Sequence, residues 1–153
     1  MSMAMTDDLA SMLAAKLSAS IEEFDLKVVR IDATEALLIG ANYALQFSAD
    51  RDGIESLMYI ERGRRGQLSA YTLRPLIAQR FTQEDSARYG NPETIKERLL
   101  ASLSVYASGL ESRCRDVLGG EKSWLKRDSW GAGSLGAATQ EILQSELPVS
   151  ANR

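Results

Sequence analysis

Histidine is absent from the 153-residue sequence. That removes Ser-His and Cys-His nucleophile pairs, histidine metal ligands and the usual general base near neutral pH. Cysteine occurs once, as Cys114, so no internal disulfide can form. A zinc site would have to be built almost wholly from carboxylates, which is uncommon for that ion. One unpaired thiol fits a reducing compartment, and the cytoplasm is the expected location. No apolar run reaches the roughly 18 residues of a membrane-spanning helix. Met1 to Thr6 place no Lys or Arg ahead of an apolar stretch, so no secretory signal is expected.

What is present is ordinary for one globular domain. At this length a chain buries roughly two thirds of the surface its unfolded form exposes, so folding needs neither a disulfide nor a metal. The net charge of −3 is unevenly spread. Residues 21–61 hold nine acids against three bases, and residues 62–90 hold six arginines against two acids. Charge segregated along a sequence can become charge segregated on a surface.

Hydrophobic spacing predicts an α+β fold. A first helix starts after Thr6 as N-cap, with Leu9, Met12, Leu13 and Leu17 at helical spacing. A strand is expected within Phe24 to Asp32, followed by a turn at Asp32 to Glu35. Leu37, Ile39, Ala41, Tyr43, Leu45 and Phe47 then alternate without a phase break. That reads as one strand with a single buried face, bent at Gly40, or as a hairpin turning at Gly40-Ala41-Asn42. Asp50-Arg51-Asp52-Gly53 is a turn by composition, leading into a strand from Ile54 to Glu61. Leu68 to Thr72 adds a short edge strand. The product is an antiparallel meander of three to four strands.

The remainder reads as helical. Pro75 opens a helix through Phe81, and Asn91-Pro92 starts another. Ile95, Leu99, Leu103, Tyr106, Leu110, Cys114 and Val117 form one apolar stripe, ended by Gly119-Gly120. Taken over 92–118 this long C-terminal helix would measure about 40 Å. It is expected to cross the sheet face bearing Leu45 and Phe47. Residues 1–125 are read as one domain, and 126–153 as a glycine-containing tail with a short amphipathic helix around Ile142, Leu143 and Leu147.

The candidate motifs each meet a simpler explanation. Gly131-Ala132-Gly133-Ser134-Leu135-Gly136 fits the dinucleotide fingerprint in letters. That motif needs a buried strand before it and a βαβ unit after it, and neither is in place. A hinge ahead of a terminal helix is the better reading. Asp50, Asp52 and Glu55 resemble part of a calcium loop, but that register puts Ser48 first and Tyr59 last, where carboxylates are required. Asp50, Asp52, Glu55 and Glu61 leave paired-carboxylate catalysis formally open, although turn charges do not by themselves set two carboxyls across a cleft. Arg62, Arg64, Arg65, Arg74, Arg80 and Arg88, with Tyr71 and Phe81 interleaved, are the only basic concentration. They lack a nucleic-acid motif in a chain of pI near 5.1. Cys114 falls on the apolar stripe with no base to activate it. Trp124 and Trp130 either cover the end of the core or anchor a partner.

Three stretches carry a resemblance: Tyr43-Ala44-Leu45-Gln46-Phe47, Asp50-Arg51-Asp52-Gly53, and Asp116 to Leu125 at the close of the long helix. In layout, residues 24–125 resemble the small acidic immunity proteins that bacteria encode beside polymorphic or contact-dependent toxins. The resemblance implies cytoplasmic inhibition of a toxin by surface occlusion, without a cofactor. The leading expectation is thus a non-catalytic binding protein with no catalytic, cofactor or metal residues and no membrane association. Its protein partner would be basic and nucleic acid is disfavoured. The expected contact residues are Asp50, Asp52, Glu55, Glu61, Trp124 and Trp130. An accessory module of a secretion or phage-related assembly is the second reading, and a carboxylate-dependent hydrolase the third.

Overall fold

The computed structural model describes residues 8–127 and 133–148. The chain opens with α1 (Leu9–Lys16) and α2 (Ser18–Phe24). Five strands follow: β1 (Lys27–Asp32), β2 (Glu35–Ile39), β3 (Ala44–Asp50), β4 (Gly53–Arg62) and β5 (Leu68–Thr72). Then come α3 (Arg74–Arg80), α4 (Gln83–Ala87), α5 (Ile95–Arg113), α6 (Arg115–Leu118) and α7 (Ala137–Glu146). The strands form one antiparallel meander in the order β1-β2-β3-β4-β5.

Asp8 caps α1 by accepting the Ser11 N–H at 3.1 Å, a role expected of Thr6, which lies outside the described residues. Leu9, Met12, Leu13 and Leu17 are buried, as their spacing requires. The first strand begins at Lys27 rather than near Phe24, because α2 runs through Phe24 and ends at a left-handed Asp25 (φ 56°).

The stretch 37–48 is a hairpin, the second of the two expected forms. Ile39 faces Ala44 and Leu38 faces Leu45, so every odd-numbered residue faces an even-numbered one. The alternation therefore changes sides across the turn. Leu37 and Ile39 join Ala44 and Ile60 on one face, while Leu45 and Phe47 join Leu38 on the other. The expectation of one buried face shared by all the odd positions is corrected accordingly. Both faces are covered. α1, α5 and α6 bury Leu9, Leu13, Leu103, Leu110 and Val117 against the Leu45–Phe47 face. α7 sets Leu143 and Leu147 on the opposite face. Arg62 Nη1 donates to the carbonyls of Gln144 and Leu147, each at 2.9 Å, satisfying acceptors that the end of a helix leaves open.

The long helix is shorter than its stripe implied. At its start Thr94 takes the cap expected of Asn91. Its Oγ1 accepts the Glu97 N–H at 3.0 Å, and Glu97 Oε1 accepts the Thr94 N–H at 3.2 Å. At its end the helix breaks at Cys114 (φ −129°). Arg80 Nη1 there donates to the Arg113 carbonyl at 3.1 Å and to Asp116 at 2.7 Å. The break re-aims Val117 and Leu118 into the core, where both are buried. The 19 residues of α5 span about 28 Å. Among the described residues no helix is long and apolar enough to cross a membrane.

Candidate functional site

The β3–β4 turn stands at one end of the sheet, held from three sides. Asp50 Oδ1 accepts the Asp52 N–H at 2.8 Å. The Tyr89 hydroxyl donates to the Asp52 carbonyl at 3.1 Å, and Arg98 Nη1 to the Arg51 carbonyl at 3.4 Å. Gly53 closes the turn at φ 124°, a region that L side chains rarely occupy. The next amide, Ile54 N–H, donates to Ser102 Oγ of α5 at 2.8 Å. The carboxylates of Asp50 and Asp52 are therefore displayed on backbone that is already fixed.

Beside this turn runs a groove of about 510 Å³, lined chiefly by Met12, Ala33, Ala49, Asp50, Ile95 and Leu99. Its apolar lip is Ile95, the first residue of α5. At 52% exposure Ile95 is the one exposed large hydrophobic among the described residues. The stripe expected to be buried throughout thus projects past the sheet at its first member. Asp8 lies at the base of the groove. Burial would raise its carboxyl, but the Arg30 Nε hydrogen bond at 2.6 Å and the Ser11 N–H outweigh that and hold it below the ordinary carboxylate range. The same end of the molecule carries Asp32 and Glu35 on the β1–β2 turn and Glu93 and Glu97 at the head of α5. Hydrogen bonds from the Glu93 and Thr94 amides lower Glu97. Against these acids stand Arg51, Lys96 and Arg98, so the end is acidic on balance.

The other expected contact residues lie elsewhere. Glu55 is exposed but lines a different cavity, between β4, α3 and α5. Glu61 is enclosed by its own chain: Arg127 donates to it at 2.7 and 2.9 Å and Lys122 Nζ at 3.2 Å. Burial raises the Glu61 carboxyl, and these cations more than reverse the effect. Trp124 is buried with its ring edge-on to Tyr59, centroids 4.7 Å apart, so it closes the core and offers no exposed face. Trp130 lies outside the described residues. So do Gly131 and Ala132 of the glycine-rich segment, while Gly133 N–H donates to the Ala70 carbonyl of β5 at 2.8 Å.

The arginines are scattered among unrelated tasks. Arg62 caps α7 and Arg80 pairs with Asp116, whereas Arg64 and Arg65 are exposed on the β4–β5 loop. Burial pushes the Cys114 thiol up, in keeping with an inert side chain. Among the described residues no group of three or more His, Cys, Asp or Glu side chains is placed to hold a metal. The feature that sequence reasoning missed is the Ile95 groove. Its signal was the Thr94-to-Glu97 capping box, which sets Ile95 at the helix tip. No protein-family model, no curated protein and no solved structure matches the chain.

Proposed function

We propose that this chain is a non-catalytic binding domain that seats a basic protein partner on the end of the sheet bearing Asp50 and Asp52, as an immunity-type inhibitor of a toxin would. One observation carries the reading: a fixed acidic turn abuts an apolar groove whose lip, Ile95, is the exposed large hydrophobic of the described chain. The acids steer and orient a cationic partner, and the groove takes an apolar side chain from it. A turn already held by Tyr89, Arg98 and Ser102 loses little freedom on binding, which lowers the entropic cost of association. The lack of histidine and the buried Cys114 thiol support a role without nucleophilic chemistry. The same lone thiol supports the cytoplasm as its place of action.

The test is surface-plasmon kinetics with the product of the adjacent gene at low and moderate salt. Changing Asp50 and Asp52 together to Asn is expected to slow association about tenfold and flatten its salt dependence. Ile95→Ala is expected to act on dissociation, by about tenfold for a lost contact of about 1.4 kcal/mol. Unchanged kinetics in both variants would remove this end of the molecule from the interface.

A further inference from the structure

We infer that a second site, enclosed by the start of β4 and by α3 and α5, binds a small carboxylate anion. Its cavity measures about 120 Å³ and is lined by Ser56, Thr72, Arg74, Ile77 and Tyr106, with Glu55 at its margin. That is well below the roughly 300 Å³ at which drug-sized ligands begin to fit, so the ligand is a head-group of a few atoms.

Three features point to an anion. First, Arg74 is exposed, and among the described residues its guanidinium has neither a carboxylate within 4.0 Å nor any other hydrogen-bond partner. Second, the Tyr106 ring is wedged edge-on between Phe47 and Phe81, with centroids 6.5 and 5.8 Å away, yet its hydroxyl has no protein partner among the described residues. A phenol ring fixed this way holds its oxygen in place, with the O–H free to turn toward an acceptor. Burial raises the Tyr106 hydroxyl, the Arg74 charge opposes that, and both side chains line the one cavity. Third, the strand is irregular at this point. Ile54 faces Ala49 and Ser56 faces Ser48, so Glu55 is a bulged residue without a cross-strand partner. β5 pairs through Thr72, opposite Met58, and the Leu73 N–H then donates to the Leu57 carbonyl at 3.0 Å, so pairing along this edge of β4 ends just short of Ser56. Bulges recur next to sites because they re-aim side chains and end pairing. A planar carboxylate matches the guanidinium fork and takes the phenol as a further donor, with Ser56 in reserve. The negative charge of Glu55 opposes a dianion and sets a single negative charge as the upper limit.

The experiment is an NMR titration of the full chain with sodium acetate, following the Arg74 Nε–H and Tyr106 ring signals against sodium chloride at equal ionic strength. Saturable shifts with a dissociation constant on the order of millimolar are expected. Arg74→Gln, a surface change, and Tyr106→Phe, which removes an unbonded hydroxyl, should each weaken binding about tenfold. Glu55→Gln should tighten it, because a like charge is removed. Shifts that stay linear, that match the chloride control, or that persist unchanged in Arg74→Gln overturn the site. An affinity lowered by Glu55→Gln would overturn it as well, since the carboxylate would then be recognising a cation.

Discussion

Gly53 and Ser102 touch with no room for a methyl group between them. A Cβ on Gly53 would stand 2.6 Å from the Ser102 Cβ and 3.2 Å from the Arg98 carbonyl oxygen. This contact couples the acidic turn to the long helix. Gly53→Ala would add both the clash and a left-handed side chain, for an expected loss of about 2 kcal/mol or more in urea unfolding. Ser102→Ala removes only the acceptor of the Ile54 N–H and should cost about 1–3 kcal/mol. Equal stability of Gly53→Ala and the wild type would show that the turn is not held against α5.

Leu103 lies at the centre of the α5 stripe and is 1% exposed. Leu103→Ala should cost about 2–5 kcal/mol, as deletion of a buried isobutyl group does. Ile95→Ala, eight residues earlier on the stripe, should leave the thermal melt nearly unmoved. A large shift for Ile95→Ala would place that side chain in the core.

Glu61 sits between Lys122 and Arg127, beneath the Tyr59 hydroxyl that also accepts from Lys122 at 2.9 Å. Glu61→Gln leaves two cations facing one another. The expected loss is on the order of 2 kcal/mol, less than for a fully buried pair because Arg127 is half-exposed. Burial already lowers Lys122, with Glu61 opposing that, so Lys122→Met in the same chain should recover part of the loss. No recovery in chemical denaturation would locate the effect elsewhere.

Acid should unfold this protein through a few enclosed carboxyls. Burial raises Asp8 and Asp85, but hydrogen bonds outweigh it: Arg30 and Ser11 at Asp8, and Ser108 and Thr82 at Asp85, leave both below the ordinary range. A folded-state value below the unfolded one gives stability that is fully present above about pH 4 and drains as pH falls through the folded values. With no histidine in the chain, the melting temperature should stay flat between about pH 6 and pH 8. A midpoint near pH 6 in the acid transition would contradict this assignment.

The sequence made the α+β class, the meander and the β3–β4 turn legible, because turn residues and two-residue periodicity are local signals. It left open whether 37–48 was one strand or two. A four-residue connection from Gly40 to Tyr43 keeps the apolar alternation in phase while moving it to the other face. The helix break at Cys114 was hidden for a related reason. Leu110, Cys114 and Val117 keep helical spacing through it, and the side chain bonded on both sides of the break, Arg80, is distant in sequence. At the candidate site the acids of the turn were readable from composition. The groove was not, since it joins α1, two turns and the tip of α5. Glu61 and Trp124 looked available in sequence, and only their partners in space, Lys122, Arg127 and Tyr59, show otherwise.

The hairpin of β2 and β3 has apolar residues on both sides, with Leu37 and Ile39 under α7 and Leu38 and Leu45 under the other helices. A strand with one wet face cannot slide by a single residue without drowning its apolar set. β2 lacks that safeguard, because a slip would exchange one oily surface for another. Its alignment is instead keyed at the turn. There the Tyr43 hydroxyl donates to the Leu118 carbonyl at 2.8 Å, and the Tyr43 ring lies against a Gly40 with no side chain to displace it. Tyr43 thus acts as the index pin of the sheet. Tyr43→Phe should quicken amide exchange at Leu38 and Ala44 before it costs the helices anything, and misaligned chains should be the characteristic error product of folding in that variant.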